Sequence, residues 1–382
     1  MFRKCQRCRV QRRPTLTGGA LTTRKVTVSS TVVARVGAAV LALGLVGGGA
    51  ALSSRSAAGE PGDVLAAHRD TVVRQSTQVR PAAVTEAQLG EGTPLPAAAP
   101  GESTRVRVSS GGRARDAVVH VPADYRKDRP APVLLTYHGY GGTAAETQEF
   151  TGLDRLPAIV VYMQGVGDAW EGAPYAKTGE GEDLKFTDDM LASLNTTYTL
   201  DRSRIYATGM SNGGGFAAKL ACRKPEVFAA VAAVSAAYYP GTHSDCAPGT
   251  TSMLDVHGAQ DRTIDYDGGS RHGSPYTAAR SMAQEVAGRA GCQSNPVTTS
   301  LADNVRRVQW PMCRPSADGQ PRSVVHLRVG DGGHSWPGDD TGRSGASRES
   351  RPAGPASSQA EPTSFSMDAT TEVWSFVSGH RL

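Results

Sequence analysis

The sequence predicts an α/β fold: a mostly parallel central sheet with helices on both faces, opened by an antiparallel hairpin at its N-terminal side. Three observations carry this. Short uninterrupted apolar runs ending in glycine or small residues recur from residue 132 onward, as strands buried on both faces do. Helical patterns separate most of them, which calls for parallel strands joined by crossovers. Ahead of the first such run, one segment alternates apolar and polar residues on both sides of a Gly-Gly pair.

That segment, TRVRVSSGGRARDAVVHVP (104–122), reads as a hairpin turning at Gly111-Gly112. PVLLTYHG (132–139) and AIVVYMQG (158–165) are buried strands. In EDLKFTDDMLASLNTTY (182–198), Leu184, Met190, Leu191 and Leu194 fall on one helical face. RIYATG (204–209) is the next strand and NGGGFAAKLAC (212–222) the helix after it. VFAAVAAVSAA (227–237) and TSMLDVHG (251–258) are strands, and SPYTAARSMAQEVAGRAG (274–291) a helix. SVVHLRVG (323–330) is a late strand and SMDATTEVWSFVSG (366–379) a closing helix. Residues 339–363 are too polar to be anything but a surface loop, and no internal repeat is present.

Composition narrows the function. At 39% hydrophobic and 20% charged residues, a disordered or membrane-embedded chain is excluded. The net charge of +5 suggests nucleic-acid binding only until it is located. Residues 1–52 hold nine Lys/Arg and no Asp/Glu, leaving 32 basic against 36 acidic residues in the body. The basic character belongs to the leader, and no nucleic-acid partner is expected. A basic stretch followed by the uncharged run VGAAVLALGLVGGGAAL (36–52) predicts a signal peptide over residues 1–52, cut at about 50–58. An uncleaved anchor is the alternative; at 17 residues, five of them glycine, the run is at the lower edge of what spans a bilayer. Export to the extracellular space is expected, with no stable membrane association after cleavage. Residues 53–101 are rich in Ala, Pro, Gly and Ser and read as a disordered tether, with the folded domain over 102–382.

Cysteine usage agrees with export. Cys5 and Cys8 form a lone C-x-x-C in the leader, weak evidence for zinc. Cys222, Cys246, Cys292 and Cys313 are an even set for an oxidising compartment. Nearest-neighbour pairing would close two loops of about 20–25 residues, each stabilising by roughly 3 kcal/mol in the chain-entropy model. Four free buried thiols are the alternative.

The chemistry concentrates at Gly209-Met210-Ser211-Asn212-Gly213. This G-x-S-x-G stands between a buried strand and a small-residue helix, the context of a nucleophile elbow that lifts the Ser211 hydroxyl clear of the sheet. A serine nucleophile needs a base, and the base an orienting acid. Of the downstream histidines, His257 ends a strand and His326 lies inside one, as structural residues do. His243 and His272 lie in loops, and His380 is two residues from the end. His334, in GDGGHSWPG just past the last strand, is the expected base. Asp261, in the loop after MLDVHG, is the expected acid, with Asp265 and Asp267 as rivals. The oxyanion donors expected are the amide of Asn212 and one from His138-Gly139-Tyr140-Gly141-Gly142, with Tyr140 favoured over Gly139. His138 as a metal ligand has no partner at zinc spacing. Trp170, Tyr175, Tyr238, Tyr239, Trp310 and Trp336 lie where they could ring a pocket. Trp170, Tyr238 and Trp336 are the candidates carried forward; core packing is the alternative for each.

At this point the chain resembles secreted α/β-hydrolase esterases of the feruloyl esterase and polyhydroxybutyrate depolymerase type, from about Thr104 to Ser378. The resemblance rests on HGYGG (138–142), GEDLKFTDDML (181–191), YATGMSNGGGFAAKLAC (206–222), HGAQD (257–261), GC (291–292) and GGHSWPG (332–338). It implies the α/β-hydrolase fold, ester hydrolysis, the cysteine pairing, and a catalytic serine, aspartate and histidine at Ser211, Asp261 and His334. Gly181-Glu182-Asp183 with Phe186-Thr187-Asp188 is closer to the feruloyl esterases, while HGYGG and GGHSWPG are closer to the depolymerases. The expected activity is ester hydrolysis through an acyl-enzyme, on feruloyl esters of plant xylan. Hydroxyalkanoate oligomers are the alternative substrate, and a non-catalytic binding protein on the same scaffold the alternative class. No cofactor and no metal are expected; the expected partner is the ester substrate alone, and the expected state a monomer.

Overall fold

In the computed structural model, residues 92–316, 319–344 and 361–382 are described. The expected leader, with Cys5 and Cys8, and the tether up to residue 91 lie outside the described residues, as do 345–360 of the long loop.

A ten-stranded sheet runs in the order β1-β2-β4-β3-β5-β6-β7-β12-β11-β10. β1 (Ser103–Ser110) and β2 (Arg113–His120) form the expected hairpin, and β2 lies antiparallel to β4 (Ile159–Met163). The centre is parallel: β4, β3 (Ala131–Tyr137), β5 (Leu200–Met210), β6 (Ala230–Val234), β7 (Ser252–Gly258) and β12 (Val324–Val329). The chain leaves β3 toward β4 on one side and leaves β5 toward β6 on the other. A crevice therefore opens above the C-terminal ends of β3 and β5, where Tyr137 pairs with Gly209. The HGYGG loop and Ser211 both emerge there.

Each face of the sheet has its own core. On one side, α2 (Glu182–Thr197), α3 (Asn212–Arg223) and α4 (Ala279–Arg289) bury Phe186, Leu191, Phe216, Leu220 and Met282 against Leu135, Val161 and Val231. On the other, α1 (Ala144–Thr151) and α5 (Ala369–Val377) pack Ala144, Val373 and Val377 over Leu134, Val160 and Val234. The fold is the expected α/β-hydrolase fold.

Sequence reading missed three pieces. α1 has only three buried residues, all small or polar, so it carries no apolar stripe. β10 (Val297–Ala302) and β11 (Val305–Trp310) extend the sheet antiparallel beyond β12, and β10 is exposed along most of its length. The helix read over 274–291 begins only at Ala279, because Gly269–Arg271 (β8) pairs with Ser274–Tyr276 (β9) in a small hairpin. The end of the segment read as a tether is laid down on the domain: Leu95 is buried, its amide donates to Thr197 Oγ1 (2.8 Å), and the Ala98 amide donates to Tyr198 Oη (2.9 Å).

Cys222–Cys246 and Cys292–Cys313 are disulfides, closing loops of 24 and 21 residues. The first ties the end of α3 to the loop after β6, the second ties the end of α4 to the segment after β11. Among the described residues no helix is long and apolar enough to cross a membrane.

Candidate active site

Ser211 sits at the tightest point of the chain. Its backbone has φ 55° and ψ −119°, outside the regions a non-glycine residue ordinarily occupies. The strain is held in place by close packing beneath it. A Cβ on Gly213 would lie 2.1 Å from the Tyr137 carbonyl oxygen, and one on Gly209 would lie 2.5 Å from the Gly213 carbonyl carbon. Only glycine lets α3 start this near the end of β3. Ser211 is thereby carried above the strand ends, next to Gly139 of the β3 loop.

His334 arrives from the loop after β12, and Gly258 gives it passage. A Cβ there would meet the Gly332 and Gly333 carbonyls at 2.4 and 2.5 Å. His334 is fully buried; its Nε2 is 3.0 Å from Ser211 Oγ and its Nδ1 2.8 Å from Asp261 Oδ2. Asp261 is fixed in turn, since its Oδ1 accepts the amides of Thr263 (2.9 Å) and Ile264 (2.7 Å). Burial alone would raise the Asp261 carboxyl, but His334 and His257 outweigh it and hold it well below the usual carboxylate range. The rivals Asp265 and Asp267 are exposed, and Asp265 Oδ1 accepts the Asp267 amide. The three residues singled out from the sequence thus stand in one hydrogen-bonded line. Such a line can pass a proton from hydroxyl to imidazole while the carboxylate holds the ring.

The HGYGG loop closes over the same point. Trp170 Nε1 donates to the His138 carbonyl (2.9 Å), and Asn212 Oδ1 accepts the Trp170 amide (2.8 Å), so loop and elbow are tied through one tryptophan. His138 Nδ1 bonds the Gly139 carbonyl (2.8 Å), and its Nε2 accepts the Gly165 amide (2.9 Å). Burial pushes this imidazole below its ordinary range, which suits a neutral ring with Nε2 as acceptor. The Gly141 and Gly142 amides are engaged with Asp168 and Gly139 carbonyls. No acceptor engages the Tyr140 amide among the described residues, and the first helical amides of α3 have no partner within the helix.

The aromatic candidates need correction. Trp170, Tyr238 and Trp336 are buried, and each commits its polar atom to the protein: Trp170 as above, Tyr238 Oη to Asp255 Oδ1 (2.5 Å), Trp336 Nε1 to Thr370 Oγ1 (3.0 Å). They build the scaffold. Trp310 is buried on β11 and Tyr239 is buried beside Tyr175. The half-exposed ring surface at the crevice is instead Tyr140 stacked on Tyr175 (4.0 Å between centroids), with His272 edge-on to both. His272 occupies the tip of the β8–β9 hairpin, where it and Gly273 both have positive φ.

The GED motif explains the loop that carries Tyr175. Buried Asp183 takes Arg115 Nη2 on Oδ1 (2.6 Å) and the Glu171 amide (2.8 Å) and Thr178 hydroxyl (2.6 Å) on Oδ2. Glu171 returns the bond from the Asp183 amide (2.7 Å) and lies 3.3 Å from buried Lys219. The two ends of the loop, Glu171 and Asp183, are thus pinned to each other.

Two features were missed from the sequence. Glu361, at the far end of the long loop, accepts the Arg262 amide and the Thr263 hydroxyl (both 3.2 Å) and faces the His334 amide (3.5 Å), bracing one catalytic-loop candidate against the other. His257, read as structural, lies 3.2 Å from Asp261 Oδ2. No sequence signal marked this contact, because His257 ends a strand and a four-residue spacing brings side chains together only on a helix. Among the described residues no three His, Cys, Asp or Glu side chains converge as a metal ion requires.

Residues 170–264 match the family model described as esterase PHB depolymerase. Feruloyl esterase B of Piromyces equi is 29% identical over 206 residues, 50% of this chain and 38% of that protein. The protein described as probable feruloyl esterase C of Aspergillus niger is 27% identical over 190 residues, 47% of this chain and 63% of its own length. The chain spans less than two thirds of either relative. Among solved structures, the acetyl xylan esterase from Aspergillus awamori aligns with 60% of this chain and 94% of its own, at 17% identity and a TM-score of 0.42. The resemblance to esterases of the feruloyl esterase and polyhydroxybutyrate depolymerase type is borne out.

Proposed function

We propose that this protein is a secreted carboxylic ester hydrolase that works through an acyl-enzyme on Ser211. The observation carrying the proposal is the buried line Ser211 Oγ–His334 Nε2 at 3.0 Å and His334 Nδ1–Asp261 at 2.8 Å. Ser211 Oγ attacks the ester carbonyl as His334 Nε2 takes its proton. The amides of Tyr140 and Asn212 receive the oxyanion. The tetrahedral intermediate collapses, the C–O bond to the alcohol breaks, and His334 returns the proton to the departing oxygen. Water then adds to the acyl-enzyme, gives a proton to His334, and releases the acid as Ser211 regains its hydrogen. Asp261 stays ionised throughout and holds the imidazole by Nδ1.

The stacked Tyr140 and Tyr175 rings favour a planar aromatic acyl group, so we place feruloyl esters of plant xylan ahead of hydroxyalkanoate oligomers. Two disulfides accord with an oxidising, extracellular destination. The test is hydrolysis of methyl ferulate against a hydroxybutyrate oligomer by wild type and Ser211→Ala. Serine-dependent turnover of ferulate is expected. Preference for the oligomer would move the substrate to the polyester side, and turnover of both by the alanine variant would overturn the mechanism.

A further inference from the structure

The line of acids and bases does not stop at Asp261. His257 ends β7, four residues before Asp261, and is fully buried. Its Nε2 lies 2.8 Å from the Ile264 carbonyl oxygen and 3.2 Å from Asp261 Oδ2. Both are acceptors only, so Nε2 carries the hydrogen, bonded to the Ile264 carbonyl with Asp261 Oδ2 as a second, longer contact. Its Nδ1 is buried without a partner among the described residues. A histidine serving only to fill the core would gain nothing from leaving one ring nitrogen unsatisfied and aiming the other at a carboxylate. The oxygen it touches is the one His334 uses, while the other Asp261 oxygen is saturated by two backbone amides.

We infer that His257 is a positioning residue for the proposed triad: its Nε2–H fixes the direction and charge of the Asp261 oxygen that orients His334. The inference rests on the proposed serine mechanism. Removing the donor frees Oδ2 to rotate about the backbone-bound Oδ1 and leaves more of its charge for His334.

The groups facing His257 define how that charge is felt. Asp261 lies at its Nε2, Asp255 stands two residues back on the same strand, and the Tyr266 ring is edge-on at 6.1 Å. Arg328 is its register partner on β12, and His334 lies across Asp261. Asp255 is itself occupied, by Tyr238 Oη and by His326 Nδ1 (both 2.5 Å), and His326 Nε2 is bonded to Tyr266 Oη (2.8 Å). With Asp255 taken up by its own donors, the acceptors left to His257 are the Ile264 carbonyl and Asp261.

The experiment compares wild type, His257→Phe, which keeps a ring of similar size without the donor, and His257→Gln, which restores an N–H. With 4-nitrophenyl acetate, the Phe variant is expected to lose about tenfold to a hundredfold in kcat at nearly unchanged KM, the equivalent of one hydrogen bond to a charged group. The acid limb of its pH profile should move to higher pH, because the unshared carboxylate favours the His334 imidazolium. The low-field proton resonance of His334 Nδ1–H should move with it, and Gln should restore both. An unmoved limb and resonance in the Phe variant would overturn the inference, even with kcat reduced. Should the Phe variant fail to fold, nitrogen-15 shifts of His257 in the wild type decide: a protonated Nε2 is expected, and a bare Nε2 overturns it. Absence of Ser211-dependent turnover in the wild type would instead refute the proposed mechanism. The inference would fall with it, even if the resonance still reported the Asp261 contact.

Discussion

Gly213→Ala tests whether close packing of α3 against β3 is what sets the site. Exchanging a helical glycine for alanine ordinarily stabilises a helix by about 1 kcal/mol. Here the new Cβ would stand 2.1 Å from the Tyr137 carbonyl oxygen, 2.5 Å from its carbon and 2.6 Å from the His138 carbonyl oxygen. Ordinary contact begins near 3.4 Å. The start of α3 must therefore recoil by about 1 Å, because the obstacles are backbone of a central strand and cannot rotate away. Overpacking of this kind costs roughly 1–3 kcal/mol, which outweighs the propensity gain. The recoil carries Ser211 and Asn212 away from Gly139 and Tyr140, and a 1 Å misplacement of reacting groups can cost about 10²-fold in rate. The assay is kcat for ester hydrolysis together with thermal unfolding. A roughly hundredfold lower kcat with a modestly lower Tm is expected. An alanine variant with wild-type kcat and an unchanged or raised Tm would refute the reasoning.

Asp261→Asn should lower kcat by about 10⁴-fold. Its oxygen must stay with the Thr263 and Ile264 amides, so an NH₂ group would face the Nδ1–H of His334. The same carboxyl is held well below its ordinary value of roughly 3.9, so the stability it contributes is present above that value and is lost as pH falls toward the depressed one. Urea unfolding from neutral to acid pH should show this loss in wild type and lack it in Asp261→Asn; identical slopes would contradict the assignment. Thiol titration of the denatured, unreduced full chain should find Cys5 and Cys8 and no others, and reduction should lower Tm through the loss of two crosslinks stabilising by roughly 3 kcal/mol each. Six reactive thiols would reject both bridges.

The parallel strands were legible because a strand covered on both faces is buried at every position, as β3, β4, β6 and β7 are, and so is mostly apolar, β4 and β6 wholly so. The missed elements lack that signature for physical reasons. β10 lies at the sheet edge with most of its side chains in solvent, so no apolar pattern was needed to form it. α1 buries only Ala144, Thr147 and Thr151, yet its start is written in the sequence: Thr143 Oγ1 accepts the Glu146 amide, a capping box preceding no apolar run. β8 and β9 are three residues each and are specified by their positive-φ turn, which a histidine at its first central position conceals.

The same distinction runs through the site. Ser211, Asp261 and His334 were readable because each sits beside a backbone demand that leaves its own mark, glycines where chains nearly touch or a loop directly after a strand. Aromatic residues carry no such mark: Trp170 and Tyr175 are five residues apart in one loop, and only the fold decides which faces inward. The decision follows from the hydrogen bonds. Trp170 is spent in joining His138 to Asn212, so altering it would disturb the chemistry itself. Tyr175 lies beyond that anchor, in a loop whose ends are pinned by Glu171 and Asp183, and meets Tyr140 and His272 at the crevice. Residues beyond the anchor can change the shape of the opening without moving Ser211, His334 or Asp261. That separation is why motifs at the strand ends point to the reaction, while the proposed choice between an aromatic acid and a hydroxyalkanoate rests on two segments, 172–180 and 269–276, that lie outside the motifs.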